Sequence, residues 1–132
     1  LIARLLAEGK TVGVASTSHK AIHKLLDEVE AAAAERGIEF DGRKKASGGN
    51  PESEYDGDVV ENVFKAEEAA GADLAAGTAW LFAHAGLDAT LDYLFIDEAG
   101  QVSLADALAM GTAARNLVLV GDPLQLAQVL QG

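Results

Sequence analysis

Short apolar runs alternate along the chain with stretches in which apolar residues recur every three or four positions. The short runs are typical of buried strands and the periodic stretches of helices. Strands are predicted at 11–15, 73–77, 91–96 and 116–120, and helices at 1–7, 21–36, 59–70 and 102–110. Because strands and helices alternate, the pattern predicts a three-layer α/β fold with a mainly parallel sheet.

The helix predicted at 21–36 has the clearest boundaries. Ser16-Thr17-Ser18 precedes it with side chains that suit a helix N-cap, and Gly37 follows it as a C-terminal cap. Gly9 is predicted to end the first helix in the same way. Gly9-Lys10-Thr11 looks like the end of a phosphate-binding loop, but that loop needs a strand before it and a helix after it. The reverse order here argues against such a loop.

Turn-forming residues concentrate in one stretch, 41–58, which holds four glycines and Pro51. This stretch is predicted to be a flexible surface loop inside a single domain that spans residues 1–132, because the strand and helix pattern resumes after it. Arg43-Lys44-Lys45 lies within it. This run either contacts a phosphate backbone or is a solvated basic loop beside an acidic helix.

Charge is distributed unevenly over the 132 residues. The net charge is −11, with 10 basic and 21 acidic side chains. Residues 1–50 carry eight basic and seven acidic side chains, whereas residues 51–132 carry two and fourteen. A protein that holds nucleic acid by a wholly basic surface is excluded, and any phosphate contact is expected in the first fifty residues.

Composition further limits the classes of protein to which the chain can belong. With 49% hydrophobic and 23% charged residues, the chain is typical of a globular domain. It has no cysteine, which excludes a disulfide framework or a cysteine-based zinc site and fits the reducing cytoplasm. Its apolar runs are far shorter than the ~20 residues that a membrane span needs, so no membrane partner is expected.

Polar clusters follow the predicted strands. In parallel sheets ligands bind at the carboxyl ends of the strands, so these clusters predict one functional edge. The clusters are Ser16-Thr17-Ser18-His19, Thr78, Asp97-Glu98 and Gly121-Asp122.

The adjacent acids Asp97 and Glu98 are the strongest indication of a catalytic site in the sequence. One carboxylate can hold Mg²⁺, usually through water, while the other polarises the water that attacks a phosphate. The alternative is a pair of solvated acids at an ordinary strand end; the apolar run at 94–96 and Gln101 favour the first interpretation. Gln125 can sense a terminal phosphate, or it can lie on a helix surface after a glycine-proline turn.

Several of these segments resemble the motifs of one family. Asp97-Glu98-Ala99-Gly100-Gln101 resembles motif II of superfamily 1 helicases, and residues 121–126 resemble motif III in the same order and at the same spacing. Residues 14–21 are similar to motif Ia, which contacts the nucleic-acid backbone. Residues 77–80 lie where the family has another segment that contacts the nucleic-acid strand. The branch resembled contains senataxin and the nonsense-mediated-decay helicases, and bacterial members joined to a RecB-like nuclease are most similar.

The resemblance implies a partial RecA-like P-loop NTPase lobe that binds ATP and Mg²⁺. It implies that Asp97 binds Mg²⁺, Glu98 is the catalytic base and Gln125 contacts the γ-phosphate. Gln101, Gly121 and Asp122 would support the nucleotide site. Single-stranded DNA or RNA would contact Ser16, Thr17, Ser18, His19 and Thr78, with Trp80 either stacking on a base or lying in the core. His23 and His84 are expected to be structural.

The same resemblance implies further parts of a longer protein. The phosphate loop is expected before Leu1, the second RecA-like lobe after Gly132, and a RecB-like nuclease domain in the same protein. Two alternatives belong to other classes: a non-catalytic RecA-like scaffold that binds nucleic acid or protein, and a Mg²⁺-dependent phosphatase that uses Asp97. No second acidic or lysine cluster of phosphatase chemistry follows, which disfavours the last.

The 132-residue chain alone is predicted to hydrolyse ATP negligibly. It lacks the phosphate loop, and removing such electrostatic groups lowers rates by orders of magnitude. A phosphate-release assay on the isolated chain checks this, and turnover close to that of a complete helicase would contradict it.

Overall fold

The computed structural model describes residues 2–16, 18–69, 71–78, 81–82, 91–97 and 114–119. These residues form a six-stranded sheet in the order β3-β2-β4-β1-β5-β6, and all five neighbouring pairs are parallel. The predicted α/β class is therefore confirmed. The strands are β1 Val12–Ser16, β2 Gly42–Lys45, β3 Val60–Val63, β4 Leu74–Thr78, β5 Leu91–Ile96 and β6 Ala114–Leu119, and the helices are α1 Ile2–Ala7 and α2 His19–Arg36.

One face of the sheet is covered by α1 and α2. Val12 and Val14 of β1 are fully buried beneath the apolar stripe of α2, which includes Ile22 and Leu26. Burial of this stripe is the main source of the helix's stability, since burying a large aliphatic side chain contributes about 1.5–3 kcal/mol. None of the described helices is long and apolar enough to cross a membrane.

Two strand glycines make room for a layer on the opposite face. A Cβ atom on Gly13 would lie 2.6 Å from Leu91 Cδ1 and 2.9 Å from Phe82 Cε1, and one on Gly77 would lie 2.6 Å from Leu81 Cδ2. Leu81 and Phe82 are helical and buried. The sheet is therefore packed on both faces, as a three-layer fold requires.

The caps of α2 agree with the sequence. The Ser18 hydroxyl accepts a hydrogen bond from the Ala21 N–H at 3.2 Å, which makes Ser18 the N-cap. Gly37 adopts a left-handed conformation (φ 67°) that lets its N–H reach the carbonyls of the last helical turn. Gly9, after the end of α1, is also left-handed, with φ 79°. Gly9-Lys10-Thr11 therefore lies between a helix and a strand, with α1 before it and β1 after it.

Two local predictions are wrong. Residues 42–45 form strand β2 rather than a loop, and the predicted helix at 59–70 is instead strand β3 followed by a 3₁₀ turn, Ala66–Ala69. The second 3₁₀ turn, Pro51–Ser53, lies between the two strands. The sequence Gly-Arg-Lys-Lys has no apolar alternation, so β2 depends on pairing with β3 and β4 on its two sides. The helix predicted at 102–110 lies outside the described residues.

A long-range contact fixes the start of β3. The Glu30 carboxylate on α2 accepts hydrogen bonds from the N–H groups of Asp58, Val59 and Val60 at 2.7–3.2 Å, and from the Tyr55 hydroxyl at 3.0 Å. Burial raises the pKa of Glu30, but these donors outweigh burial and the net pKa is lowered. Position and pairing of β3 thus depend on a residue about thirty positions earlier, which local patterns cannot reveal.

Candidate functional site

Four neighbouring strands end at the same edge of the sheet. The register pairs Ser16 with Thr78 across β1 and β4, and Ile96 with Leu119 across β5 and β6. The Asp97 N–H donates to the Ala15 carbonyl at 2.8 Å, which holds the start of the loop after β5 beside the end of β1. The described parts of the predicted polar clusters therefore lie along one edge.

Asp97 lines a cavity of about 300 Å³ together with the start of α2. Ser18, Lys20 and Lys24 also line this Asp97 cavity. The two lysines place positive charge beside the carboxylate, at the end of a sheet edge that the helix N-terminus also faces. The lysines and the helix N-terminus favour an anion in this cavity, whereas the Asp97 carboxylate favours a cation.

The other predicted contact residues differ in exposure. Ser16 is fully buried, so it is not presented at the surface, and its hydroxyl has no hydrogen-bond partner among the described residues. Ser18, His19 and Thr78 are partly exposed. The Ser18 hydroxyl serves α2 as its N-cap. Seven predicted site residues lie outside the described residues: Thr17, Trp80, Glu98, Gln101, Gly121, Asp122 and Gln125.

The sequence indicates Lys44 only as one member of the basic run 43–45, yet it is the largest fully buried side chain of the described residues. Its ammonium contacts His19 Nδ1 at 2.6 Å and donates to the Ser53 carbonyl. Burial, with the charge of Lys45 adding to it, lowers the pKa of Lys44 to about 8. A solvated basic loop is thus the wrong interpretation of residues 43–45, and no local pattern marks the middle lysine of this run as buried.

Arg43 is also tied into the fold. Its guanidinium contacts the Asp41 carboxylate at 2.9 Å and donates to the Glu68 carbonyl at 2.7 Å. These contacts link β2 to the 3₁₀ turn after β3. Because the guanidinium is engaged in holding that turn, Arg43 contributes to the structure of the sheet's outer strands.

Further along α2 from His19, aromatic and acidic side chains lie close together. The His23 ring lies 6.3 Å from the His19 ring and 5.4 Å from the Tyr55 ring, measured between centroids. The Tyr55 hydroxyl is 2.8 Å from Asp27 and 3.0 Å from Glu30. Burial and these two carboxylates raise the pKa of Tyr55, so the hydroxyl stays protonated and acts as a donor.

A cavity of about 970 Å³ lies over the first turns of α2. His19, Lys20, His23 and Lys24 line this α2 cavity together with Pro51, Glu52 and Glu54. It adjoins the Asp97 cavity through the shared residues Ser18, Lys20 and Lys24. The start of α2 is therefore open to solvent on the side away from β1.

The predicted Mg²⁺ site depends on which side chains at this edge can bind a metal ion. Within the ranges that the structure describes, no group of three or more His, Asp or Glu side chains could hold a metal ion. Mg²⁺, however, keeps several waters and takes one or two protein carboxylates together with substrate phosphates. Asp97, a single carboxylate at an open cavity, fits that role.

The chain matches no known protein-family model, and a search of curated proteins also finds no match. Function therefore rests on the residues of the site and on the resemblance of its motifs.

Replacing the buried cation with Lys44→Met is expected to change how stability depends on pH. Folding lowers the pKa of Lys44 from 10.5 to about 8, so the wild type gains stability as pH rises through that interval. The stability of Lys44→Met relative to the wild type should therefore fall by roughly 3 kcal/mol between pH 7 and a pH above 10.5. Urea unfolding of the intact protein measures this, with the exposed Lys65→Met as control; equal pH profiles for Lys44→Met and the wild type would contradict it.

Proposed function

We propose that the chain is part of the first RecA-like lobe of an ATP-dependent helicase that moves on single-stranded DNA or RNA. One observation carries this proposal: the segments that resemble motifs Ia, II and III follow β1, β5 and β6, which are neighbours in the sheet. Strands that are far apart in the sequence, β1, β5 and β6, thus end side by side at one edge of the sheet.

The nucleotide chemistry is assigned to the ends of β5 and β6. Bound Mg²⁺ would neutralise charge on the phosphate oxygens, and Asp97 would hold it through water. Glu98 would accept the proton of the attacking water, and Gln125 would contact the γ-phosphate. Gln101, Gly121 and Asp122 would position the loops that carry these groups. The pairing of Ile96 with Leu119 supports this assignment because it brings the two strand ends together.

Contact with the nucleic-acid strand is assigned to the start of α2 and the end of β4. Ser18, His19 and Thr78 are partly exposed there, and Lys20 is exposed. Hydroxyls, ring nitrogens and loop N–H groups can bind phosphate oxygens without a strongly basic surface. This matches a chain whose net charge is −11 but whose first fifty residues are close to neutral.

The proposal includes the rest of a longer, cytoplasmic protein. ATP would lie between this lobe and a second RecA-like lobe, which would supply the remaining catalytic groups. A RecB-like nuclease domain is the further partner that the resemblance suggests.

Phosphate release by the intact protein, with and without single-stranded DNA or RNA, tests the proposal. We expect Mg²⁺-dependent ATP hydrolysis that a single strand stimulates. Strand binding with no hydrolysis under any condition would instead support a non-catalytic scaffold. Hydrolysis of phosphate monoesters without nucleotide preference would support a phosphatase.

A further inference from the structure

A partly buried hydrogen bond joins the start of α2 to β2. His19 is the first residue of the helix, and its Nδ1 lies 2.6 Å from the Nζ of Lys44, which is fully buried. The same Nζ donates to the carbonyl of Ser53. Lys44 therefore connects three elements: the strand that carries it, the helix start and the turn at residues 51–53.

While Lys44 is an ammonium group, this contact allows only the neutral imidazole tautomer in which Nδ1 carries no proton. An ammonium group can only donate, so Nδ1 of His19 must accept and carries no proton. A proton on Nδ1 would remove the acceptor and set two cations 2.6 Å apart. We propose that the His19–Lys44 hydrogen bond is a proton-controlled latch between α2 and β2, closed while His19 is neutral and opened when His19 gains a proton.

Titratable and charged groups on every neighbouring element lie around this latch. On α2 these are Lys20, His23 and Lys24, with Asp27 and Glu30 further along; on β2 they are Lys44 and Lys45; in the segment after β2 they are Glu52, Glu54 and Tyr55; and directly after β5 there is Asp97, which shares a cavity with Lys20 and Lys24. The groups nearest to His19 are cationic. Burial first, and then Lys44, His23 and Lys45, lower the pKa of His19.

The α2 cavity has room for the His19 ring once its hydrogen bond to Lys44 is broken. His19 lines this cavity of about 970 Å³, so a protonated ring can turn outward, toward water and toward Glu52 and Glu54. The pKa of His23 is lowered as well. Burial and the charge of Lys44 lower this pKa, while the Ser53 carbonyl and Asp27 raise it to a smaller extent. Its Nε2 is buried, and no group in the part of the chain that the structure describes forms a hydrogen bond with it.

The sign of the effect on stability follows by linkage. His19 and His23 bind protons more weakly in the folded state than in the unfolded state, so acid stabilises the unfolded chain. The loss begins as pH falls below 6.5, the ordinary value, and continues down to the lowered pKa. For each pH unit by which folding lowers a pKa, the ratio of folded to unfolded protein falls about tenfold.

The substitution His19→Asn separates the latch from general acid effects. An asparagine Oδ1 can accept from Lys44 in place of Nδ1 but cannot gain a proton. Unfolding of the intact protein by urea at pH 7 and pH 5 is compared for the wild type, for His19→Asn and for the neighbouring control Lys20→Gln. We expect a severalfold smaller fall in the folded-to-unfolded ratio for His19→Asn alone; the same fall in all three would overturn the proposal.

A second measurement stands even where His19→Asn folds poorly. An NMR titration of the His19 ring in the wild-type protein should give a midpoint below 6.5, and Lys44→Met should move that midpoint upward. A wild-type midpoint at or above 6.5, or one that Lys44→Met leaves unchanged, would overturn the latch.

Discussion

In the intact protein, Glu98→Gln is expected to lower ATP hydrolysis by roughly 10²–10⁴-fold, the contribution of a general base to a proton transfer. Glutamine keeps the size of the side chain but cannot take the proton of the attacking water. Binding of the nucleic-acid strand is expected to remain, because the residues assigned to it follow β1 and β4 rather than β5. Phosphate release and strand binding are measured on the same preparation.

Glu67→Gln is the matched control, since Glu67 is exposed and lies in the turn after β3, at the far side of the sheet. It should leave both activities unchanged. Full hydrolysis by Glu98→Gln would contradict the assignment of the base. Equal loss of hydrolysis and strand binding would indicate a folding defect rather than a catalytic one, and the unfolding midpoint of the variant distinguishes these.

Leu26→Ala is expected to lower the free energy of unfolding by about 3–5 kcal/mol. Leu26 is fully buried in the core between α2 and the sheet, where it packs with Ile22 and Val29. Its truncation removes buried apolar surface and leaves a cavity that a close-packed core fills only in part. Because most domains are stable by only 5–15 kcal/mol, a loss of this size shifts the unfolding midpoint strongly.

Urea unfolding of the intact protein, followed by circular dichroism, gives the value. Glu28→Ala is the control on the same helix: Glu28 is exposed, and its truncation should change stability by less than about 0.5 kcal/mol. Similar losses for Leu26→Ala and Glu28→Ala would show that α2 does not bury its apolar stripe against the sheet.

Elements with strong local signals could be predicted from the sequence. The apolar run of β5 gave its limits, and the stripe and caps of α2 gave its end at Arg36. The polar residues after β1, β4 and β5 also lie at one edge, since parallel strands that alternate with helices must end together. Periodicity and capping act within a few residues, which is why a sequence reveals them.

Features that depend on distant partners could not be predicted. Strand β2 is a polar segment held by pairing on both sides, and β3 begins where Glu30 binds three backbone N–H groups. Burial of Lys44 depends on Ser53 and His19, nine and twenty-five positions away. Nothing in the residues around these positions records such contacts, so sequence patterns gave a loop, a helix and a solvated lysine instead.

The central claim is that Asp97, Glu98 and Gln125 meet at one nucleotide. An experimental structure of the intact protein with Mg²⁺ and a non-hydrolysable ATP analogue tests it most directly. We expect the Asp97 carboxylate beside the metal's water shell, and Glu98 and Gln125 about 3 Å from the attacking water or the γ-phosphate oxygens. A nucleotide bound elsewhere, or these three side chains on opposite edges of the sheet, would contradict the account.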